Sequence, residues 1–261
     1  MTAPEPITVV ILSRNRPLYL WACLDSLYRY TRHPARFVLT DNASDDPMVR
    51  DVVRGFERRG MFHAVEWHDE NDPQRILKTV RDYVNGPADK VVAIESDVTV
   101  FDTDPCWLGR MNALMDDHPE LGLLGSYVDK RDFIPVEDTE ALVPDLPPNQ
   151  AVMMIKTRSP ERTLPDTPPD EALIDPFNPP GRLIMARKSM MSKIVYALDT
   201  RMYKHAKEAG IGCAIAPSVR HRHLSLLNAY DYPEFDVKKR REHFVNNRDP
   251  VYVLPDTSND D

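Results

Sequence analysis

Glu95, Ser96 and Asp97 follow the run Val91-Val92-Ala93-Ile94, so two carboxylates stand at i and i+2 directly after four apolar residues. Acids so spaced at the end of a buried strand suit a shared divalent cation and the diphosphate it neutralises, because open α/β sheets bind ligands in the crevice beyond their strand ends. The same acids would serve equally as solvated loop residues, and the flanking sequence has to decide. Asp41 and Asn42 close a second apolar run. A carboxylate there accepts the N–H of a pyrimidine base or a ribose hydroxyl, or else holds its own turn as an Asx motif. Ser13, Arg14, Asn15 and Arg16 follow a third run and offer backbone groups to a base and a guanidinium to a phosphate. His221 and His223 alternate with Arg220 and Arg222, so in an extended segment only one imidazole faces any given site. A neutral imidazole ligates transition metals, the arginines suit phosphate, and a surface basic stretch is the plain alternative. Asp199 opens a helix that Gly210 closes. It is a helix cap, a general base, or both.

These residues need elements to hold them. Residues 7–12 read as a near-continuous apolar strand, followed by the polar turn 13–16 and by Pro17, a favoured first helical position. Leu20, Cys23, Leu24 and Leu27 then recur at helical spacing to about Tyr30. The unit repeats as strand 36–40, a turn from Asp41 to Pro47 dense in backbone-bonding side chains, and helix 48–59. Strand 62–67, helix 74–83 and strand 90–94 complete the first half. Strands alternating with helices on short connections predict a parallel sheet with right-handed crossovers. A helix at 107–115 and a strand at 121–124 come next. Residues 134–180 hold Pro147-Pro148, Pro168-Pro169 and Pro179-Pro180, which forbids a mainly helical segment and points to a lid or acceptor-binding loop. Strand 183–186, helices 189–197 and 200–209, the extended stretch from Ala214, a charged helix at 237–244 and a frayed polar tail follow. The expected organisation is one domain over 1–261. Residues 7–100 form its first half, 101–230 a second half with the insertion, and 231–261 a terminal helix and tail.

Composition narrows the function. The 261 residues are 42% hydrophobic, enough for a sizeable core, and 33 Lys+Arg against 41 Asp+Glu give a net charge of −8, which excludes the overall footprint of a nucleic-acid binder. Cys23, Cys106 and Cys213 are an odd, widely spaced set, and no apolar leader follows Met1, so reduced thiols in a cytoplasmic protein are expected. No stretch approaches the roughly 20 apolar residues of a membrane span, which limits membrane association to peripheral contact.

Several of these stretches, in this order, resemble the family 2 glycosyltransferases, which use nucleotide sugars and have the GT-A fold. Residues 7–27 (ITVVILSRNRPLYLWACLDSL) and 37–46 (FVLTDNASDD) are similar to the family's first strand and helix and its nucleotide-binding strand end. Residues 91–98 (VVAIESDV) stand where its Asp-x-Asp metal motif belongs, with Glu95 in place of the first aspartate. Residues 198–210 (LDTRMYKHAKEAG) resemble the stretch that carries the base, with Leu198 where glutamate is common, and residues 217–225 (PSVRHRHLS) resemble the late histidine segment.

The resemblance covers residues 7–230. It implies an α/β fold of GT-A type, a mostly parallel Rossmann-like sheet flanked by helices, and a Mn2+ or Mg2+ cofactor. It also implies transfer, with inversion, from a UDP or GDP sugar to a hydroxyl of a saccharide or glycoconjugate, as in polysaccharide biosynthesis. The nucleotide sugar would meet Ser13, Arg14, Asn15, Arg16, Asp41, Asn42, Lys78, Glu95 and Ser96. Lys78 and Arg81 stand in for an Asn and Arg near the phosphates. Asp97 with His221 or His223 would hold the metal, His221 being favoured, and Asp199 would be the base, with Glu137 and Asp138 next in line. A sugar nucleotidyltransferase shares the sheet but opens with a Gly-rich phosphate loop, and residues 13–16 contain no glycine. A module that binds a nucleotide sugar without turnover is the other alternative.

Overall fold

The computed structural model describes residues 4–83, 85–129, 173–174, 182–191 and 199–224. The chain divides into two compact units, Met1–Val128 with Asp166–Arg222, and Asp129–Pro165 with His223–Asp261. The second contributes only Asp129, His223 and Leu224 to the described residues. The insertion 134–180, apart from Leu173 and Ile174, and residues 192–198 and 225–261 lie outside the described residues, as do Glu137, Asp138 and the expected helix 237–244.

The first four strands are β1 (Ile7–Ser13), β2 (Ala35–Asn42), β3 (Phe62–His68) and β4 (Lys90–Glu95). Between them run α1 (Pro17–Tyr30), α2 (Pro47–Glu57) and α3 (Arg75–Asp82). Then come β5 (Val98–Val100), α4 (Trp107–Asp117), β6 (Leu121–Val128), β7 (Leu183–Arg187), α5 (Lys188–Met191), α6 (Asp199–Glu208) and β8 (Gly212–His223). The strands form one sheet in the order β3-β2-β1-β4-β7-β6-β8-β5. β1 pairs in parallel with both β2 and β4, β2 with β3, and β6 with β8, whereas β7 runs antiparallel to β4 and β6. The mostly parallel sheet is therefore present, with one reversed strand in its middle. Only Ser96 and Asp97 separate β4 from β5, a reach of about 11 Å at most, yet four strand spacings, about 19 Å in a flat sheet, separate them in the sheet order. The sheet has to curl.

Period-two alternation sorts each strand's side chains onto two faces. Ile7, Val9 and Ile11 of β1 share one buried cluster with Leu20, Cys23, Leu24 and Leu27 of α1, Val49, Val53 and Phe56 of α2, and Trp107, Leu108, Met111 and Met115 of α4. Val10, from the other face of β1, joins Val38, Val91, Val80 of α3, Met191 of α5 and Met202 and Ala206 of α6. Helices thus cover both faces, which is why the strands read as continuous apolar runs. Each fully buried Leu or Val contributes about 1.5–3 kcal/mol relative to exposure. Gly210 (φ +68°) ends α6 as expected: Gly210 N donates to Lys207 O (3.0 Å) and Ile211 N to Ala206 O (2.9 Å), a paired C-terminal cap that needs the left-handed backbone glycine adopts freely.

Candidate functional site

The chain leaves β1 toward β2 and β3 on one side and returns through α3 to β4 on the other. The strand order thus reverses between β1 and β4, the place where an open sheet leaves a crevice at its carboxyl ends. The register brings the predicted residues to that edge: Ser13 pairs with Asp41, and Leu12 with Glu95. Ser96 N donates to Leu12 O (3.0 Å), fixing the turn after β4 against the end of β1.

On the β1–β2 side the polar residues form a hydrogen-bonded lattice built mainly on backbone and amide groups. Asp41 and Asn42 are the buried last residues of β2 rather than a turn beyond it, because parallel pairing with β1 and β3 extends the ladder to them. Asp41 Oδ1 accepts from Ser44 N (2.8 Å) and its Oδ2 from Ser44 Oγ (2.6 Å), so the carboxylate holds the turn three residues on. An ionised carboxylate has about four acceptor sites, so a ligand donor is still compatible with that turn. Ser44 Oγ in turn accepts from Asn15 N (2.7 Å), and Asn15 Oδ1 accepts from the backbone N–H groups of Asp45 (3.0 Å) and Asp46 (3.2 Å). Asn15 and Arg16 hold positive φ of 52° and 55°, a conformation that costs most side chains energy and that asparagine tolerates well. Asn42 Nδ2 donates to Asn71 Oδ1 (2.7 Å) and Asp72 O (3.0 Å), and its Oδ1 accepts from Asp72 N (2.8 Å). Lys78, exposed on α3, reaches Asp72 Oδ2 at 2.5 Å. That ammonium first, and the N–H of Gln74 second, hold the Asp72 carboxyl below its ordinary range. Arg14 is exposed, and Ser13 is fully buried with no hydrogen-bond partner for its Oγ among the described residues.

On the β4 side the residues are charged. Arg16, the N-cap residue of α1, places Nη1 3.2 Å from Asp97 Oδ2. Arg182 Nη1 lies 2.5 Å from Glu95 Oε2 and 3.7 Å from Asp97 Oδ2. Asp97 and Ser96 are buried, and Glu95 is half-buried. The thiol of Cys23 lies beneath, 3.9 Å from Glu95 O; burial pushes its pKa well up, and the Asp97 charge pushes it further. Sequence reasoning missed Arg182. Glu95 N donates to Arg182 O (2.9 Å), so its place follows from the antiparallel pairing of β7 with β4, and a buried apolar run does not reveal which way its strand runs.

Farther along the sheet, His221 is fully buried on β8, with Nδ1 2.7 Å from Ser126 Oγ, and that hydroxyl is 3.3 Å from Leu183 O. Were the Ser126 hydroxyl proton given to Leu183 O, Nδ1–H would donate to Ser126 and leave on Nε2 the lone pair that a metal can take. His223 is buried as the last residue of β8, and Asp199 opens α6. Among the described residues, no three His, Cys, Asp or Glu side chains gather as a ready metal-holding group. What Glu95 and Asp97 offer is two hard carboxylates, which fit a hard divalent cation that draws its other ligands from phosphate and water.

No protein-family model and no curated protein sequence matches the chain. Solved structures do. A mannosyltransferase, PcManGT from Pyrobaculum calidifontis, in complex with GDP-Man and Mn2+, superposes with a TM-score of 0.56 at 15% identity over 94% of this chain and 63% of its own. The fold is that of the GT-A glycosyltransferases. GalNAc-T7 with UDP, GalNAc and Mn2+ gives a TM-score of 0.58 at 11% identity, covering 93% of this chain and 48% of that one. TarS of S. aureus, residues 1–349, gives 0.51 at 11% identity, covering 94% and 66%. The chain therefore spans between about half and two thirds of these structures. In this GT-A sheet, the crevice between β1 and β4 is where Ser13, Arg16, Asp41, Glu95, Ser96 and Asp97 meet.

Proposed function

We propose that the protein is a metal-dependent glycosyltransferase. It moves a sugar from a UDP or GDP sugar to a hydroxyl of a saccharide or glycoconjugate, with inversion, and acts in cytoplasmic polysaccharide assembly. The observation that carries this reading is the pairing of Asp97 with Arg16 and Arg182 at the switch point of a GT-A sheet, next to the buried ends of β1 and β2. Two of the structurally similar proteins hold Mn2+ together with GDP-Man or with UDP and GalNAc.

Asp41, Asn42 and the turn 13–16 orient the nucleoside, and Lys78 stands on the same side. Arg16 and the N-terminus of α1 face the diphosphate. Asp97 and Glu95 hold the metal side of the diphosphate, with His221 or His223 as a further ligand. A divalent cation bound there neutralises the charge that builds on the leaving diphosphate. Asp199 takes the proton of the acceptor hydroxyl as the new bond forms. No helix among the described residues is long and apolar enough to cross a membrane. Calorimetry with UDP and GDP sugars, with and without Mn2+, tests the reading. The expected outcome is binding that a chelator abolishes; tight binding that ignores the chelator overturns the metal assignment, and no binding of either nucleotide overturns the function.

A further inference from the structure

Arg182 contacts both acids of the crevice, and the reading above gives it no part in binding the nucleotide sugar. It lies opposite Glu95 across the β4–β7 pair, and Nη1 contacts Glu95 Oε2 (2.5 Å) and Asp97 Oδ2 (3.7 Å). Arg16 approaches the same Asp97 oxygen from the β1 side at 3.2 Å. The two guanidiniums differ in their freedom. Arg16 sits in a left-handed N-cap, with its guanidinium carbon 5.9 Å from the centre of the Tyr19 ring, whereas the Arg182 side chain is more open to solvent. A divalent cation that takes Glu95 and Asp97 meets a positive charge already on them, and like charges this close repel. A diphosphate arriving with the cation brings acceptors that a guanidinium binds in bidentate fashion.

We propose that Arg182 is a counter-ion that changes partners: it neutralises Glu95 and Asp97 when no divalent cation is on them, and binds the diphosphate of the nucleotide sugar when one is. The inference rests on the donor-binding reading above. It makes metal and nucleotide binding mutually supportive. Metal alone displaces the arginine from its acids without supplying a new anion, while metal with nucleotide brings one. Coupling of this kind usually spans about 5- to 150-fold in affinity and is reciprocal.

The test measures Mn2+ affinity of the full chain from the EPR signal of free Mn2+, without nucleotide and with saturating UDP or GDP. Arg182→Gln removes the charge but keeps a donor, and Arg182→Lys keeps the charge. For Arg182→Gln the expected result is a pair of opposite changes. Mn2+ alone binds about fivefold tighter or more, while nucleotide in the presence of Mn2+ binds correspondingly weaker, so the coupling shrinks. Arg182→Lys should keep Mn2+ alone weak and retain part of the coupling. A purely structural arginine would weaken both affinities when replaced. Mn2+ affinity that is unchanged or lower in Arg182→Gln, with nucleotide still bound, overturns the exchange and leaves the donor-binding reading intact. A wild-type chain that binds Mn2+ but neither nucleotide overturns that reading itself.

Discussion

The two ends of β4 carry ion clusters of similar composition and opposite arrangement. At its start, Lys90 is 4% exposed and meets Asp89 (2.9 Å) and Asp116 (2.6 Å), which are 60% and 56% exposed. Arg187 also bonds Asp89, and it donates to the carbonyls of Leu121 and Met115. At its other end the buried member is an acid: Asp97 is 5% exposed, beneath Arg16 and Arg182 at 16% and 38%. A buried ammonium ringed by solvated carboxylates is satisfied permanently, since its partners belong to the fold. A buried carboxylate beneath partly exposed guanidiniums can exchange them for another cation. Desolvation makes the buried charge the one that must keep a partner, so the sign of the buried charge decides what can be exchanged. The acidic end also lies at the carboxyl edge where the strand order reverses, and the lysine end does not.

The largest effect is expected from a residue at neither end. If the β4 crevice only holds the donor, turnover needs a separate base, and Asp199→Asn should lower the rate by on the order of 10²–10⁴-fold while leaving Mn2+-linked nucleotide binding nearly intact. Steady-state rates beside calorimetry separate the two. Near-normal turnover would move the base elsewhere and direct attention to Glu137 and Asp138.

A second, smaller contrast compares the two ends directly. Asp97→Asn keeps an acceptor for Arg16 but removes the charge, and should weaken Mn2+-linked nucleotide binding by on the order of 100-fold, the upper end of what even outer residues of metal sites cost. Lys90→Met removes the other buried charge at similar volume. Its acids are left in water rather than stranded, so nucleotide binding should change by no more than about twofold, as distant sites usually do. Equal losses in the two variants would mean that both act only through the stability of β4, and the contrast between its ends would carry no functional meaning.

Hydrophobic pattern alone located most of this architecture. Pro17, the spacing of Leu20 to Leu27, and the short apolar runs at β1, β2, β3 and β4 are local signals, and the elements they foretold are present with ends shifted by a residue or two. The meeting of Ser13, Asp41 and Glu95 at one edge was legible too, because parallel strands joined by helices all end on the same side. Direction of pairing was not legible. Leu183, Ile184, Met185 and Ala186 are buried on both faces of β7, so the run looks the same parallel or antiparallel, and Arg182 stayed out of view with it. β5 is three residues long, too short for a period to register. Asp41 and Asn42 carry turn-forming side chains, yet pairing on both sides of β2 overrides that preference and keeps them in the ladder.

A third charged pair near the crevice has neither member fully buried, and it sets the lower bound of the comparison. Lys78 reaches Asp72, whose backbone N–H holds Asn42 and whose side chain also accepts from Gln74 N at the start of α3. Both contacts favour the charged carboxylate, Lys78 more than Gln74, so in the folded protein Asp72 titrates below its ordinary range. A depressed acid adds stability above its unfolded pKa and loses that contribution as the pH falls through the folded value. Lys78→Gln removes the larger of the two causes. The Asp72 midpoint, followed by carboxyl NMR across an acid titration, should therefore rise toward the ordinary range without reaching it, because Gln74 still donates. Raising the salt toward about 1 M, where the Debye length falls to about 3 Å, should move the wild-type midpoint the same way. The stability gap between wild type and Lys78→Gln should be small at neutral pH and vanish in acid. A midpoint indifferent to both the substitution and salt would mean that Gln74 alone holds Asp72, leaving the Lys78 ammonium available to a phosphate rather than committed to its neighbour.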